Sequence, residues 1–131
     1  MITREIDYAL RTILYLSNNY DKRVESELLA EEMHIPYRFL RKIVRHLVSA
    51  DLVDSARGKN GGIKLALPPE AISLYDVIKA FDYRMVMLNS CLDEQFDCQR
   101  RDLKCSIHNA ITAVQRKVDQ SLKDITFDQV D

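Results

Sequence analysis

Three cysteines and one histidine carry the most specific chemistry of this chain, spaced Cys91-x6-Cys98-x6-Cys105-x2-His108. Three thiols cannot all pair within one chain. Free thiols clustered in a short segment are more often metal ligands or redox sensors than structural groups. Thiolates are the standard ligands of iron–sulfur clusters, and one loop can supply three of them. His108 follows Cys105 by three residues, so a helix beginning there turns both side chains the same way. The set offers sulfur and nitrogen donors together. A structural zinc site uses the same donors, but zinc motifs more often carry close cysteine pairs, which are missing from this spacing. Metal-free thiol sensing is the other reading left open. Evenly spaced cysteines fit ligation better than a cysteine–histidine catalytic pair, and the chain has no P-loop, nucleophile elbow or His-Glu-x-x-His motif. An enzyme is therefore not expected.

The second constellation is one of charge. The 131 residues include 19 basic and 20 acidic side chains, for a net charge of −1. The distribution is uneven. From Pro36 to Lys64, Arg38, Arg41, Lys42, Arg45, Arg57, Lys59 and Lys64 face only Asp51 and Asp54, a local net of +5 that leaves −6 for the rest. All three glycines of the chain, Gly58, Gly61 and Gly62, fall in the same stretch. Glycines there suit positive φ or close backbone approach. A basic helix followed by a basic glycine-rich hairpin is suited to double-stranded DNA: side chains read base edges in the major groove while the hairpin meets phosphate or the minor groove.

These residues need elements to position them. Ile6, Leu10, Ile13 and Leu14 recur at helical spacing within residues 3–19, with Thr3 as the N-cap. A short helix fits 26–33. After His34-Ile35, Pro36 suits the first turn of a third helix over about 36–50, which carries Phe39, Leu40, Ile43, Leu47 and Val48 on one side. The runs 52–57 and 63–67, joined by the glycine turn, read as a β-hairpin. Ser73 and Asp76 make a capping box, with aspartate in place of glutamate, for a helix reaching Ala80 or Phe81. Residues 82–104 show no strong period. In the last helix, starting near Cys105, Ile107, Ile111, Val114, Val118 and Leu122 approach a heptad seam, which asks for a partner helix and most simply for a symmetric dimer.

The whole pattern resembles the Rrf2 family of bacterial winged-helix regulators. The resemblance rests on Tyr8-Ala9-Leu10-Arg11, on Leu52-Val53 through Arg57-Gly58, and on Gly61-Gly62 with Leu65-Ala66. It continues through Pro68-Pro69-Glu70, Ile72-Ser73-Leu74, Asp76-Val77-Ile78 and Ile125-Thr126-Phe127, and so covers almost the whole chain. It implies a homodimer, held by the long C-terminal helix, that binds operator DNA. It also implies an iron–sulfur cluster, because cluster-binding members carry three cysteines in this region. His108 matches the fourth ligand of members that hold a two-iron [2Fe-2S] cluster. Asp7 matches members in which an aspartate of the other subunit completes a four-iron [4Fe-4S] cluster. His34 stands where glycine is usual in the turn of the helix-turn-helix, Arg41-Lys42 where the cluster-assembly regulators have glutamate–glutamine, and Gly58-Lys59-Asn60 where the wing has glycine and proline.

The expectations are then definite. The fold is mainly α with a small β-hairpin wing, a winged helix-turn-helix plus a long dimerisation helix. Residues 1–81 form the DNA-binding domain, 82–104 the cluster loop, and 105–131 the dimerisation helix and tail. DNA contacts fall to Tyr37, Arg38, Arg41, Lys42 and Arg45 on the third helix and to Arg57, Gly58, Lys59 and Asn60 on the wing. Cys91, Cys98, Cys105 and His108, or Asp7 in place of His108, hold the cluster. The function is transcriptional regulation, as a repressor, gated by iron, redox state or nitric oxide. The alternatives are a thiol redox regulator and, in another class, a small iron–sulfur electron carrier or scaffold. The charged start, Met1 to Glu5, has no apolar stretch of a signal peptide, and no apolar run approaches the length of a spanning helix. A cytoplasmic protein without membrane contact is expected.

Overall fold

The computed structural model describes residues 1–101 and 104–130; Asp102 and Leu103 of the expected cluster loop and Asp131 of the tail lie outside the described residues. The chain forms α1 (Arg4–Asn18), α2 (Ser26–Glu32), α3 (Tyr37–Ser49), β1 (Val53–Ala56), β2 (Gly62–Leu65), α4 (Leu74–Phe81) and α5 (Ser106–Asp124). Short 3-10 turns at Pro69–Ala71, Tyr83–Val86 and Ser90–Leu92 fill the connections. The expected mainly helical fold with a hairpin wing is the one observed. No helix among the described residues is long and apolar enough to cross a membrane.

Local signals explain most of the boundaries. Thr3 caps α1 by accepting a hydrogen bond from the Ile6 amide, which satisfies one of the free N–H groups at the helix start. Pro36 stands just before α3, and its carbonyl accepts from the amides of Phe39 and Leu40. His34 adopts φ +54 in the turn between α2 and α3, the left-handed conformation for which glycine is otherwise the easy choice. At α4, the Ser73 hydroxyl accepts from the Asp76 amide while the Asp76 carboxylate accepts from the Ser73 amide, completing the capping box.

The core joins α1, α2, α3, the hairpin and α4. Ala9, Ile13 and Leu16 of α1 pack in one cluster with Leu29, Leu40, Ile43, Leu47, Ile63 and Val77, all essentially without solvent exposure; Ile6 and Ile78 are equally buried. One detail of the expected α3 face differs. Leu40, Ile43, Val44 and Leu47 are buried, but Phe39 and Val48 are exposed. They sit at the two edges of the apolar stripe, and the core closes on the residues between them.

The hairpin pairs Val53 with Leu65 and Ser55 with Ile63 in antiparallel register. Val24, between α1 and α2, extends it: its amide donates to the Ile63 carbonyl at 2.8 Å, and its carbonyl accepts from the Ile63 amide at 2.9 Å. The end of the chain returns to the head. Thr126 bridges Ser73, the Phe127 amide donates to the Ile72 carbonyl, and Phe127 is buried in the core. Thr126 and Phe127 of the 105–131 segment thus pack on the same body as α1 and α4.

Candidate functional site

The basic residues expected to meet DNA are all exposed. On α3, Tyr37, Arg41 and Arg45 follow at four-residue steps along one stripe, with Arg38 and Lys42 along the next. The guanidinium of Arg38 lies 4.9 Å from the centre of the Phe39 ring. Lys42 lines a groove with Arg4, Glu5, Tyr8, Phe39 and Ile43. The start of α3 adjoins the wing: Tyr37 shares a recess of about 430 Å³ with Arg57, Gly58 and Lys59, together with Glu25 and Glu27. The structure therefore brings the wing cations beside the start of the basic helix. His46, also exposed, stacks on Phe81 at 5.1 Å with Nδ1 3.1 Å from the Lys42 carbonyl.

The glycine turn does what its composition suggested. Gly58 and Gly62 have φ of +98 and +128. A methyl group on Gly62 would lie 2.6 Å from the Val24 carbonyl oxygen, and one on Gly61 would lie 2.6 Å from that of Ala56. Sequence reading missed what braces this turn. The Arg23 guanidinium pairs with the Asp54 carboxylate at 2.6 Å and donates to the Gly62 carbonyl at 3.3 Å. The partners lie far apart along the chain, so no local spacing signalled them.

The four residues of the cysteine constellation line one pocket. Cys91, Cys98, Cys105 and His108 surround a space of about 530 Å³, together with Asn89, Arg100, Arg101, Lys104, Ile107 and Asn109. Each cysteine is free and half-buried. Among the described residues, no three His, Cys, Asp or Glu side chains stand close enough together to hold a metal ion. The donor set suits an iron–sulfur cluster, three thiols and an imidazole around one cavity, but the thiols have to converge to bind one.

The segment between the cysteines is organised by its own polar groups. Arg101 donates to the carbonyls of Asp93 at 3.0 Å and Phe96 at 2.6 Å, and the Asn89 side chain accepts from the Cys91 amide at 3.5 Å. Cys105 occupies the N-cap position of α5, where no side-chain hydrogen bond closes the helix start. The His108 amide first, and then the Arg100 guanidinium, favour its thiolate and hold the thiol below its ordinary range. Asp7 is elsewhere in this protomer. It lies in the first turn of α1, its carboxylate 2.6 Å from Arg11, and Arg11 in turn donates to the Met33 carbonyl at 3.4 Å.

A short helix, a left-handed turn, a basic helix and a glycine-turned hairpin are the parts of a winged helix-turn-helix, the class of DNA-associated regulators this architecture defines. The family described as "Rrf2: Iron-dependent Transcriptional regulator" matches residues 2–130, and the chain belongs to that family. It is 33 % identical over 129 residues to the HTH-type transcriptional regulator NsrR of Halalkalibacterium halodurans, covering 95 % of this chain and 88 % of that protein. Its fold is similar to that of T. potens IscR, with a TM-score of 0.75 at 21 % identity over 98 % of this chain and 84 % of that one. It is also similar to CymR, the global cysteine regulator of B. subtilis, with a TM-score of 0.77 at 20 % identity over 99 % and 95 %. The chain is thus a transcriptional regulator of the Rrf2 family and not an enzyme, and the reading as an electron carrier falls away.

Proposed function

We propose that this regulator is a homodimeric, cytoplasmic repressor whose hold on operator DNA is set by an iron–sulfur cluster bound by Cys91, Cys98, Cys105 and His108. The observation that carries the reading is the single pocket shared by those four side chains. Asp7 of the other subunit is the rival fourth ligand, and its pairing with Arg11 would have to open for it to serve. When bound, the group supplies oxidisable iron and sulfide whose presence depends on iron supply, oxidants or nitric oxide.

The chain's own residues do the rest. Tyr37, Arg38, Arg41, Lys42 and Arg45 enter the major groove from α3, while Arg57, Gly58, Lys59 and Asn60 meet the backbone from the wing. Dimerisation runs along α5. Supporting it, Ile107 is 66 % and Val114 50 % exposed, although both lie on the apolar stripe of that helix. Such a stripe on an isolated protomer is suited to the same stripe of a second copy. The cysteine thiols converge or separate with the state of the pocket, the 91–105 segment reorders, and the spacing of the two α3 helices changes. Only one spacing matches the operator half-sites.

A second reading, metal-free thiol sensing, is favoured by one observation: the thiols do not stand at metal-holding distance among the described residues. One experiment separates the two. Protein purified without oxygen should absorb between roughly 320 and 460 nm and contain iron and sulfide in matching amounts. Colourless protein that also resists anaerobic reconstitution would overturn the cluster reading and leave the thiol switch.

A further inference from the structure

The helix that carries Cys105 and His108 at one end has an unusual interior. Among the described residues of α5, the one buried side chain is polar: Gln115, 6 % exposed. It lies about two turns beyond His108, on the stripe His108, Thr112, Gln115, Asp119 that runs beside the apolar one.

Gln115 is fully engaged. Its side-chain oxygen accepts from the Leu88 amide at 2.8 Å. Its nitrogen donates to the Val86 carbonyl at 3.1 Å and to the Asp119 carboxylate at 3.0 Å. The other Asp119 oxygen accepts from the Tyr83 hydroxyl at 2.6 Å. Burial, with the neighbouring Asp119 carboxylate, pushes the Tyr83 hydroxyl well above its ordinary range, so it stays a donor. The Tyr83 ring meets Tyr75 of α4 edge-on at 5.8 Å. One polar side chain thus grips the backbone at Val86 and Leu88, and Leu88 is three residues before Cys91. An apolar residue of similar length would bury as well; what Gln115 adds is a fixed register between this strand of loop and the helix, because buried polar groups must find their partners.

We propose that Gln115, with Asp119 and Tyr83, is a positioning latch that sets the place of Cys91 relative to Cys105 and His108 and ties the cysteine segment to α4. The inference rests on the reading of the pocket as a ligand site, and it concerns how that site is held rather than what fills it.

The test uses the full chain with Gln115→Met, close in size but without the hydrogen bonds, beside Gln120→Met as a control on the same helix. Gln120 is exposed and bonds only to Asp124 among the described residues. Hydrogen exchange on the metal-free proteins comes first. Gln115→Met loses both bonds to the Val86 and Leu88 backbone, which together correspond to at least about a tenfold change in a local opening equilibrium, so the amides of residues 86–92 should exchange at least about tenfold faster in Gln115→Met and at the parent rate in Gln120→Met. Chelator-driven iron loss from the reconstituted proteins follows and should accelerate by a similar factor in Gln115→Met alone, with oligomeric state unchanged. Parent-like exchange at 86–92, or equal acceleration by both variants, overturns the latch. A parent protein that takes up no iron and sulfide overturns the cluster reading instead, and the exchange result then decides the latch by itself.

Discussion

Gly62→Ala probes the point where the wing is anchored to the head. A Cβ at this position would lie 2.6 Å from the Val24 carbonyl oxygen and 3.1 Å from its carbon, at a backbone φ of +128. Nothing flexible can move aside, since the obstacle is main chain. That carbonyl is one half of the reciprocal Val24–Ile63 pairing at 2.8 and 2.9 Å. Relief of the clash therefore pulls Val24 off β2 and forfeits both bonds, at about 1 kcal/mol each. Strain at the unfavourable φ adds about 1–3 kcal/mol. The sum is about 3–5 kcal/mol. Gly58 provides the internal control: its φ is +98, but a Cβ there meets no heavy atom within 4 Å. Gly58→Ala should cost only the strain, about 1–2 kcal/mol. The two variants should differ by about 2 kcal/mol, which for a domain of this size is a Tm difference of about 8 °C. Thermal unfolding followed by circular dichroism, at one fixed protomer concentration, measures it. Equal Tm values for the two alanine variants would refute the argument that backbone contact, and not conformation alone, requires glycine at 62.

Ser73→Ala removes a buried cap whose hydroxyl accepts from the Asp76 amide at 3.2 Å, and should lower stability by about 1–2 kcal/mol in denaturant unfolding, with Ser73→Thr close to the parent. Val114→Lys puts a charge on the exposed apolar stripe of α5 and should yield a folded monomer in sedimentation experiments; a variant that remains dimeric would remove α5 from the interface. Arg100→Ala withdraws one of the two main influences that lower the Cys105 pKa, so alkylation of Cys105 in the metal-free protein should slow at neutral pH. The sign follows from the thiolate fraction: without Arg100 the Cys105 pKa moves back toward its ordinary value, so less of the nucleophilic thiolate is present at neutral pH. An unchanged alkylation rate would show that the helix start acts without Arg100.

Much of this protein was legible along the chain because the relevant forces are local. The Thr3 and Ser73 caps, the left-handed turn at His34, the concentration of glycines in the wing and the cation-rich third helix each follow from the conformational and charge preferences of residues a few positions apart. The cysteine spacing pointed to a shared site; Cys91, Cys98, Cys105 and His108 line one pocket, but among the described residues no three such side chains stand close enough to hold a metal ion. Other features depended on partners distant in sequence. Nothing near Arg23 indicates that it braces Asp54 and Gly62, nothing near Val24 indicates a bridge to Ile63, and Phe127 reaches the core only because the tail after α5 folds back on Ile72. The exposure of Phe39 shows the same limit, since helical periodicity marks an apolar stripe but the neighbouring elements decide how wide a part of it is covered. In α5 the periodicity pointed to Ile107 and Val114, whereas the fold of one protomer buries Gln115. An amide is buried only where tertiary structure supplies partners in register; Asp119 is one turn along the same helix, but the Val86 carbonyl and the Leu88 amide are brought within reach only by the folded chain.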